Sequence, residues 1–348
     1  MKIGTATRVR RGAIARALAL AVAATCGGSL SAETAPTEHN IALWPMPGTV
    51  SPEGRALASQ MAAMPQPNPL PPVEVQREVI DGLQHSMGAQ LLKRYDVRVE
   101  EGTIGGVPVR IVYPRGMTEL GKGPVLLNLH GGGFQVDSGS LTETIPIAAL
   151  TGVPVVAVLY RLAPENPYPA ALDDALAVYD VLRKDRPATQ IAVYGTSAGA
   201  ILGGELIAAL TAREQAMPAA LGFFAGSADF ATSGDSESWI PLPGGVKTLG
   251  EGLLSYSGNT PADDPVLSPI HGDLAGFPPT LLVSSTRDFL LSSTAMFGRA
   301  LLEHGVDARL VVFDGLPHAF WAYMDIPESR EANALMAAFL KRQLEPAR

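Results

Sequence analysis

From Tyr95 onward, short apolar runs alternate with longer stretches of helical periodicity. Val97 and Val99, then Val107, Val109 and Ile111, alternate with other residues around Gly105-Gly106, which predicts a β-hairpin. Continuous apolar runs follow at 125–129, 153–159, 191–194, 221–224, 281–283 and 310–313, most of them separated by helix-like stretches such as 170–184, 198–212 and 294–304. Buried strands alternating with helices predict an α/β fold, a mostly parallel sheet with helices on both faces. The stretch 230–265 breaks the alternation. It holds Trp239, Tyr256 and several Gly and Pro, and reads as an insertion beyond a strand end.

Ahead of the sheet pattern, residues 33–72 are rich in Pro, Ala and Met, with a cluster at Pro65, Pro67, Pro69, Pro71 and Pro72. A short helix is expected over 52–63, with Ser51 as N-cap and Pro52 at its first position. A second is expected over 73–93, where Val75, Val79, Leu83, Met87 and Leu91 recur every four residues as an apolar stripe.

The first 32 residues follow a different pattern. Lys2, Arg8, Arg10, Arg11 and Arg16 precede an apolar run at 17–24, no acid occurs before Glu33, and small residues lead to Ser31-Ala32. Charged, apolar and small-residue regions in that order predict a cleaved bacterial export signal, and hence a periplasmic or secreted protein. The apolar run is shorter than the ~20 residues a bilayer span needs, so no membrane span is expected after cleavage. Arg10-Arg11 and Cys26 fit twin-arginine and lipoprotein signals poorly.

Composition narrows the function. The 348 residues are 47% hydrophobic and 17% charged, too apolar for a disordered chain. The net charge is −8 with no Lys/Arg run in the body of the chain, which argues against a nucleic-acid partner. Cys26 is the sole cysteine, so no intramolecular disulfide or cysteine-based zinc site can form. No metal or other cofactor is expected.

In an open α/β sheet, reactive groups gather beyond the carboxyl ends of the strands. The run 191–194 leads into Gly195-Thr196-Ser197-Ala198-Gly199 and then a helix, a G-x-S-x-G turn that lifts the Ser197 hydroxyl above the sheet. A helix N-cap serine is the plainer reading of the pentapeptide; the strand–turn–helix context favours a nucleophile. The run 125–129 ends in His130-Gly131-Gly132-Gly133-Phe134. Side-chain-free backbone there lets N–H groups approach a substrate oxygen, so Gly132 and Gly133, with Gly131 as a further option, join Ala198 as oxyanion donors. His130 reads better as a loop-ordering histidine than as a base or ligand, since no second ligand lies at metal spacing.

A serine nucleophile needs a base, and the base needs an orienting acid. His318 follows the run 310–313 by a short turn, Asp314-Gly315-Leu316-Pro317. The other histidines have poorer addresses: His39 and His85 are N-terminal, His271 has no preceding strand, and His304 sits at a helix end. Asp288 follows the run 281–283, with Asp229, after 221–224, as the competing acid. The order Ser197, Asp288, His318 is the chain order of α/β-hydrolases. Asp314 is expected in a turn.

With these residues in view, the chain resembles the hormone-sensitive-lipase-like esterases, bacterial family IV of the α/β-hydrolases, from about Tyr95 to its C-terminus. The resemblance rests on His130–Gly133 and Gly195–Gly199, and on Tyr160-Arg161-Leu162-Ala163-Pro164-Glu165 with Pro169-Ala170-Ala171. Leu267-Ser268-Pro269, Phe277-Pro278-Pro279-Thr280 and Gly315-Leu316-Pro317-His318-Ala319-Phe320 extend it. Two positions depart from the family pattern. Thr196 replaces the usual acid of the elbow, as in the subgroup with a Gly-Thr-Ser-Ala-Gly elbow, and Leu159 replaces a common Asp.

The resemblance implies a serine carboxylesterase on short- to medium-chain acyl esters, with Ser197 as nucleophile, Asp288 as acid and His318 as base. It also implies a helical cap, supplied by 33–92 and about 230–265, over a catalytic domain spanning 93–348. The partner expected is a small-molecule ester; pairing into a homodimer through an edge strand or C-terminal helix is a further expectation. The same machinery could act on a lactone, carbamate or amide, and a silent ligand-binding protein is the remote alternative. Trp44, Met87, Phe134, Trp239, Phe320 and Trp321 are candidate pocket walls, though core packing accounts for each as well.

Overall fold

The computed structural model describes residues 44–64, 70–240, 242, 245, 246 and 248–345. The expected signal segment 1–32 with Cys26, together with His39, Pro65, Pro67 and Pro69, lies outside the described residues.

The sheet has eight strands: β1 (Val97–Ile104), β2 (Val107–Pro114), β3 (Val125–Leu129), β4 (Val155–Val158), β5 (Ile191–Thr196), β6 (Ala220–Phe224), β7 (Thr280–Arg287) and β8 (Ala308–Pro317). Their spatial order is β1-β2-β4-β3-β5-β6-β7-β8. The predicted hairpin is present, Ile104 pairing with Val107 across Gly105-Gly106. β2 also runs antiparallel to β4, and all remaining pairs are parallel.

Among the described residues the α-helices are α1 (Pro52–Ala62), α2 (Val73–Arg94), α3 (Ile145–Thr151), α4 (Ala170–Asp185), α5 (Ala198–Ala212), α6 (Ser236–Trp239), α7 (Leu249–Gly252), α8 (Leu254–Ser257), α9 (Leu291–Glu303), α10 (Phe320–Tyr323) and α11 (Pro327–Leu344). Strand alternation divides the core in two. Leu127, Leu129 and Val193 face one side, with Ile201 and Leu206 of α5, Leu176 of α4 and Phe297 of α9. Leu126, Ala192 and Tyr194 face the other, with Ile145 of α3 and Met336 and Leu340 of α11. Both faces are covered, which is why the central strands read as unbroken apolar runs.

α1 begins where predicted, Gly54 N donating to Ser51 Oγ at 3.0 Å. Glu328 of α11 accepts from Ser51 N at 2.6 Å and Ser51 Oγ at 3.0 Å, tying the chain's start to its last helix. The stripe expected on α2 is displaced. Its buried residues are Gln76, Ile80, Leu83, Gln84 and Gly88, while Val75 is exposed. A four-residue repeat drifts around a helix of 3.6 residues per turn, so a stripe read over four such steps cannot keep one face. The buried face meets loop backbone instead: Gln84 donates to Ser138 O and accepts from Leu141 N and Thr142 N, and so satisfies polar groups that leucine would strand.

β8 also departs from expectation. It continues through Asp314 to Pro317 after a register shift, so Asp314 is a strand residue, not a turn residue. Gly315 adopts a positive φ of 70°, its N–H donating to Thr286 Oγ1 at 2.7 Å, and this keeps the kinked strand paired.

Candidate active site

Ser197 sits between β5 and α5 with φ 58° and ψ −123°, a conformation non-glycine residues adopt only under constraint. Its N–H is held by Phe224 O of the neighbouring β6 at 2.9 Å. The turn tolerates no side chain at Gly199, where a Cβ would run into Leu129 O of β3. α5 starts at Ala198, placing its positive end under the serine.

Asp288 follows β7 and is fully buried. Its Oδ1 accepts from His318 Nδ1 at 2.6 Å and from Leu290 N at 2.8 Å, and its Oδ2 accepts from Ser284 Oγ at 2.8 Å. A carboxylate with those partners fixes the proton of the imidazole on Nδ1. His318 Nε2 is left buried with no hydrogen-bond partner. The Phe289 ring lies 4.3 Å from the imidazole and also lines, with Ser197, a small cavity completed by Gly133, Ala198, Ile201, Leu249, Leu253 and Leu290.

The rival acid is accounted for elsewhere. Asp229 Oδ1 faces His271 Nε2 at 3.0 Å and accepts from Ala231 N and Thr232 N, which closes the loop after β6. His304 Nδ1 contacts Ala300 O at a helix end, and His85 Nδ1 contacts Asp81 O on α2. His130 orders its loop: its ring stacks on Tyr160 at 4.2 Å, Nδ1 contacts Gly131 O, and Tyr160 Oη donates to His130 O at 2.7 Å.

The glycine loop sorts its own donors. Gly131 N is engaged, donating to Glu143 Oε1 at 3.1 Å, so Gly131 is not an oxyanion donor in this arrangement. Its neighbour Gly132 has φ 122°, and a Cβ there would overlap Val136 O. Gly133 and Ala198 border the cavity beside Ser197. Gly132 and Gly133 follow Gly131 in the same loop, and Ala198 opens α5.

Of the buried carboxyls that were not sequence candidates, Glu143 and Glu205 are the most deeply buried. Glu143 lies between the glycine loop and β5, accepting also from Asn128 Nδ2 at 3.2 Å; burial pushes its pKa up to about 8. Glu205 on α5 accepts from Tyr256 Oη at 2.5 Å, and burial raises it well above the usual carboxylate range. Tyr256 stacks face to face on Phe134, the residue after the glycines, joining the 230–265 stretch to the oxyanion loop. Neither glutamate lies in a recognisable motif; the signal available was an acid inside an otherwise apolar run, as at Glu205.

Of the aromatic and Met residues named as pocket walls, none borders the cavity beside Ser197. Phe134, Phe320 and Trp321 are core residues, Trp44 is exposed, and Met87 with Trp321 lines a separate crevice between α2 and α11. The cavity's outer wall comes from Leu249 and Leu253 of the insertion. α2 braces the loop after the glycines through Gln84 and through Arg77, which donates to Gln135 O and Ala163 O and pairs with Glu165. Among the described residues, no group of three or more His, Cys, Asp or Glu side chains could hold a metal ion.

Known proteins share this arrangement. A family described by its alpha/beta hydrolase fold matches residues 126–322. An acetyl-hydrolase of Streptomyces hygroscopicus is 31% identical over 301 residues, 78% of this chain and 96% of the relative. An ethyl acetate hydrolase of Pseudomonas putida is 32% identical over 251 residues, 66% of this chain and 76% of the relative. The crystal structure of one esterase superposes with a TM-score of 0.74 at 32% identity, covering 92% of this chain and 99% of that one. An esterase from the bacterial hormone-sensitive lipase family gives 0.71 at 27% identity, covering 82% and 94%. The chain belongs to the α/β-hydrolase fold family and, within it, to the hormone-sensitive-lipase-like esterases.

Proposed function

We propose that this esterase cleaves short- to medium-chain carboxylic esters through an acyl-enzyme on Ser197. His318 Nε2 takes the Ser197 proton as the hydroxyl attacks the ester carbonyl, and Asp288 holds the imidazole and stabilises its charged form. The amides of Gly132, Gly133 and Ala198 receive the tetrahedral oxyanion. His318 then protonates the leaving alcohol, and water, activated by the same imidazole, releases the acid. The observation that carries this reading is the His318–Asp288 contact of 2.6 Å with the far imidazole nitrogen buried and unpartnered beside the serine elbow.

The cavity beside Ser197 is walled by Ile201, Leu249, Leu253 and Leu290, apolar side chains suited to an acyl group. The 230–265 stretch acts as the cap over this wall, with the N-terminal segment through α2 bracing the loop behind it. Residues 1–32 direct export to the periplasm or medium. No helix among the described residues is long and apolar enough to cross a membrane. Leu310 and Val312, exposed on the edge strand β8, support pairing of two copies along that edge.

Hydrolysis of p-nitrophenyl esters from C2 to C12, with Ser197→Ala beside the wild type, tests the reading. Turnover of the short chains by wild type alone supports it. Equal rates for the two proteins refute it, and no turnover of any ester by either turns attention to a lactone, carbamate or amide.

A further inference from the structure

Glu143 is a buried carboxyl that the triad mechanism does not use, yet it touches both halves of the site. Its Oε1 takes the Gly131 amide at 3.1 Å, at the base of the oxyanion loop. On its other side lies the Thr196 hydroxyl, whose hydrogen bond favours the charged carboxylate. Thr196 is the residue before the nucleophile, and its Oγ1 also accepts from Trp321 Nε1 at 3.2 Å. Tyr194 Oη donates to the Glu143 backbone oxygen at 3.2 Å, and Asn128 Nδ2 to its Oε2 at 3.2 Å. The side chain therefore spans from β3 and the glycine loop to β5, with no water-exposed face.

We propose that Glu143 is a positioning residue for ester hydrolysis, a clamp that holds the oxyanion loop, through Gly131, in register with the nucleophile elbow, through Thr196. The proposal rests on the esterase reading of the same site. Its physical basis is that an oxyanion hole works only when its donors are fixed where charge develops. Gly132 and Gly133 follow the clamped amide directly. Ser197 follows the clamped hydroxyl directly.

The clamp carries a proton switch. With its pKa at about 8, Glu143 is neutral at pH 7, and no negative charge sits behind the donors. Above that value it ionises and opposes the developing oxyanion. The groups facing it do not cancel that charge. Asp137 is itself an acid, lying 3.8 Å from His130 and 3.4 Å from Arg110. Tyr160, Tyr194 and Tyr323 are all raised above the ordinary phenol range by burial and remain neutral at pH 8.

The test is a pH–rate profile of wild type, Glu143→Gln, Glu143→Ala and Thr196→Val on a short p-nitrophenyl ester. Fluorophosphonate labelling checks each site, and infrared difference spectra report a protonated carboxyl. The wild type is expected to lose kcat/KM above an apparent pKa near 8, and Glu143→Gln, which keeps the acceptor for Gly131, to stay within about threefold at pH 7 and lose that limb. Glu143→Ala is expected to lower kcat about 10- to 100-fold with KM nearly unchanged, since misplaced donors fail mainly the transition state. Thr196→Val falls between. One acid carbonyl band, beside the one Glu205 contributes, is expected at pH 7 in wild type and not in Glu143→Gln.

A Glu143→Gln profile superimposable on wild type, or an Ala variant with wild-type kcat, overturns the proposal. If the variants fail to fold, a wild-type profile with no limb near pH 8 overturns it alone. A wild type that hydrolyses no ester defeats the esterase reading instead, a result distinguishable from all of these.

Discussion

Asp288 Oδ1 and His318 Nδ1 stand 2.6 Å apart, although one follows β7 and the other follows β8, 30 residues later. Removing the charge while keeping the shape isolates this contact. Asp288→Asn is expected to lower kcat by about 10³- to 10⁴-fold with little change in KM, because an amide can hold the imidazole in the wrong tautomer and cannot stabilise its charged form. Asp229→Asn, which changes the other Asp–His pair, is expected to stay within about threefold of wild type. Steady-state kinetics on one ester measures both.

The elbow depends on close backbone approach. Gly199→Ala places a methyl group against Leu129 O, a backbone atom that cannot move without disturbing the centre of the sheet. A loss of about 3 kcal/mol or more in unfolding free energy is expected, read from the shift in denaturant midpoint.

Chain-length preference is expected to follow the cavity wall. Leu253→Ala removes a buried side chain that borders the space beside Ser197 and should move the acyl optimum about two to four carbons longer. The p-nitrophenyl ester series reads this directly. An unchanged optimum places the acyl chain elsewhere.

Stability should also depend on Glu143. Its pKa in the folded state, about 8, lies above the ordinary carboxyl value of 4.5. Between those values the folded chain holds a proton that the unfolded chain has lost. Stabilisation by this group is therefore complete below pH 4.5 and is lost as pH rises through 8. Relative to Glu143→Gln, the wild type should lose up to about 1.4 kcal/mol per pH unit across that window, measured by urea unfolding at pH 5 through 8.

Much of this site was legible because α/β topology converts sequence position into spatial address. Apolar runs marked strands, and the residues just after three of them, Gly131–Gly133, Ser197 and Asp288, fell at one edge of the sheet. His318 was found through the same rule, although β8 extends further than its apolar run because Gly315 allows a kink with continued pairing. What stayed hidden lacks such an address. Glu143 lies in an irregular loop with its partner Gly131, and its other partner Thr196 ends β5, so only the fold brings the three together. The buried face of α2 was misread because Gln76 and Gln84 are buried by hydrogen bonding to backbone, which a hydrophobic pattern does not register.

The most direct test of the central claim is labelling with a fluorophosphonate followed by peptide mapping, for wild type and His318→Ala. The account predicts a single adduct on Ser197, formed at least about 10²-fold more slowly without the imidazole, because the hydroxyl is weakly nucleophilic until a base takes its proton. An adduct on any other residue, or labelling of Ser197 at an equal rate in His318→Ala, would contradict it.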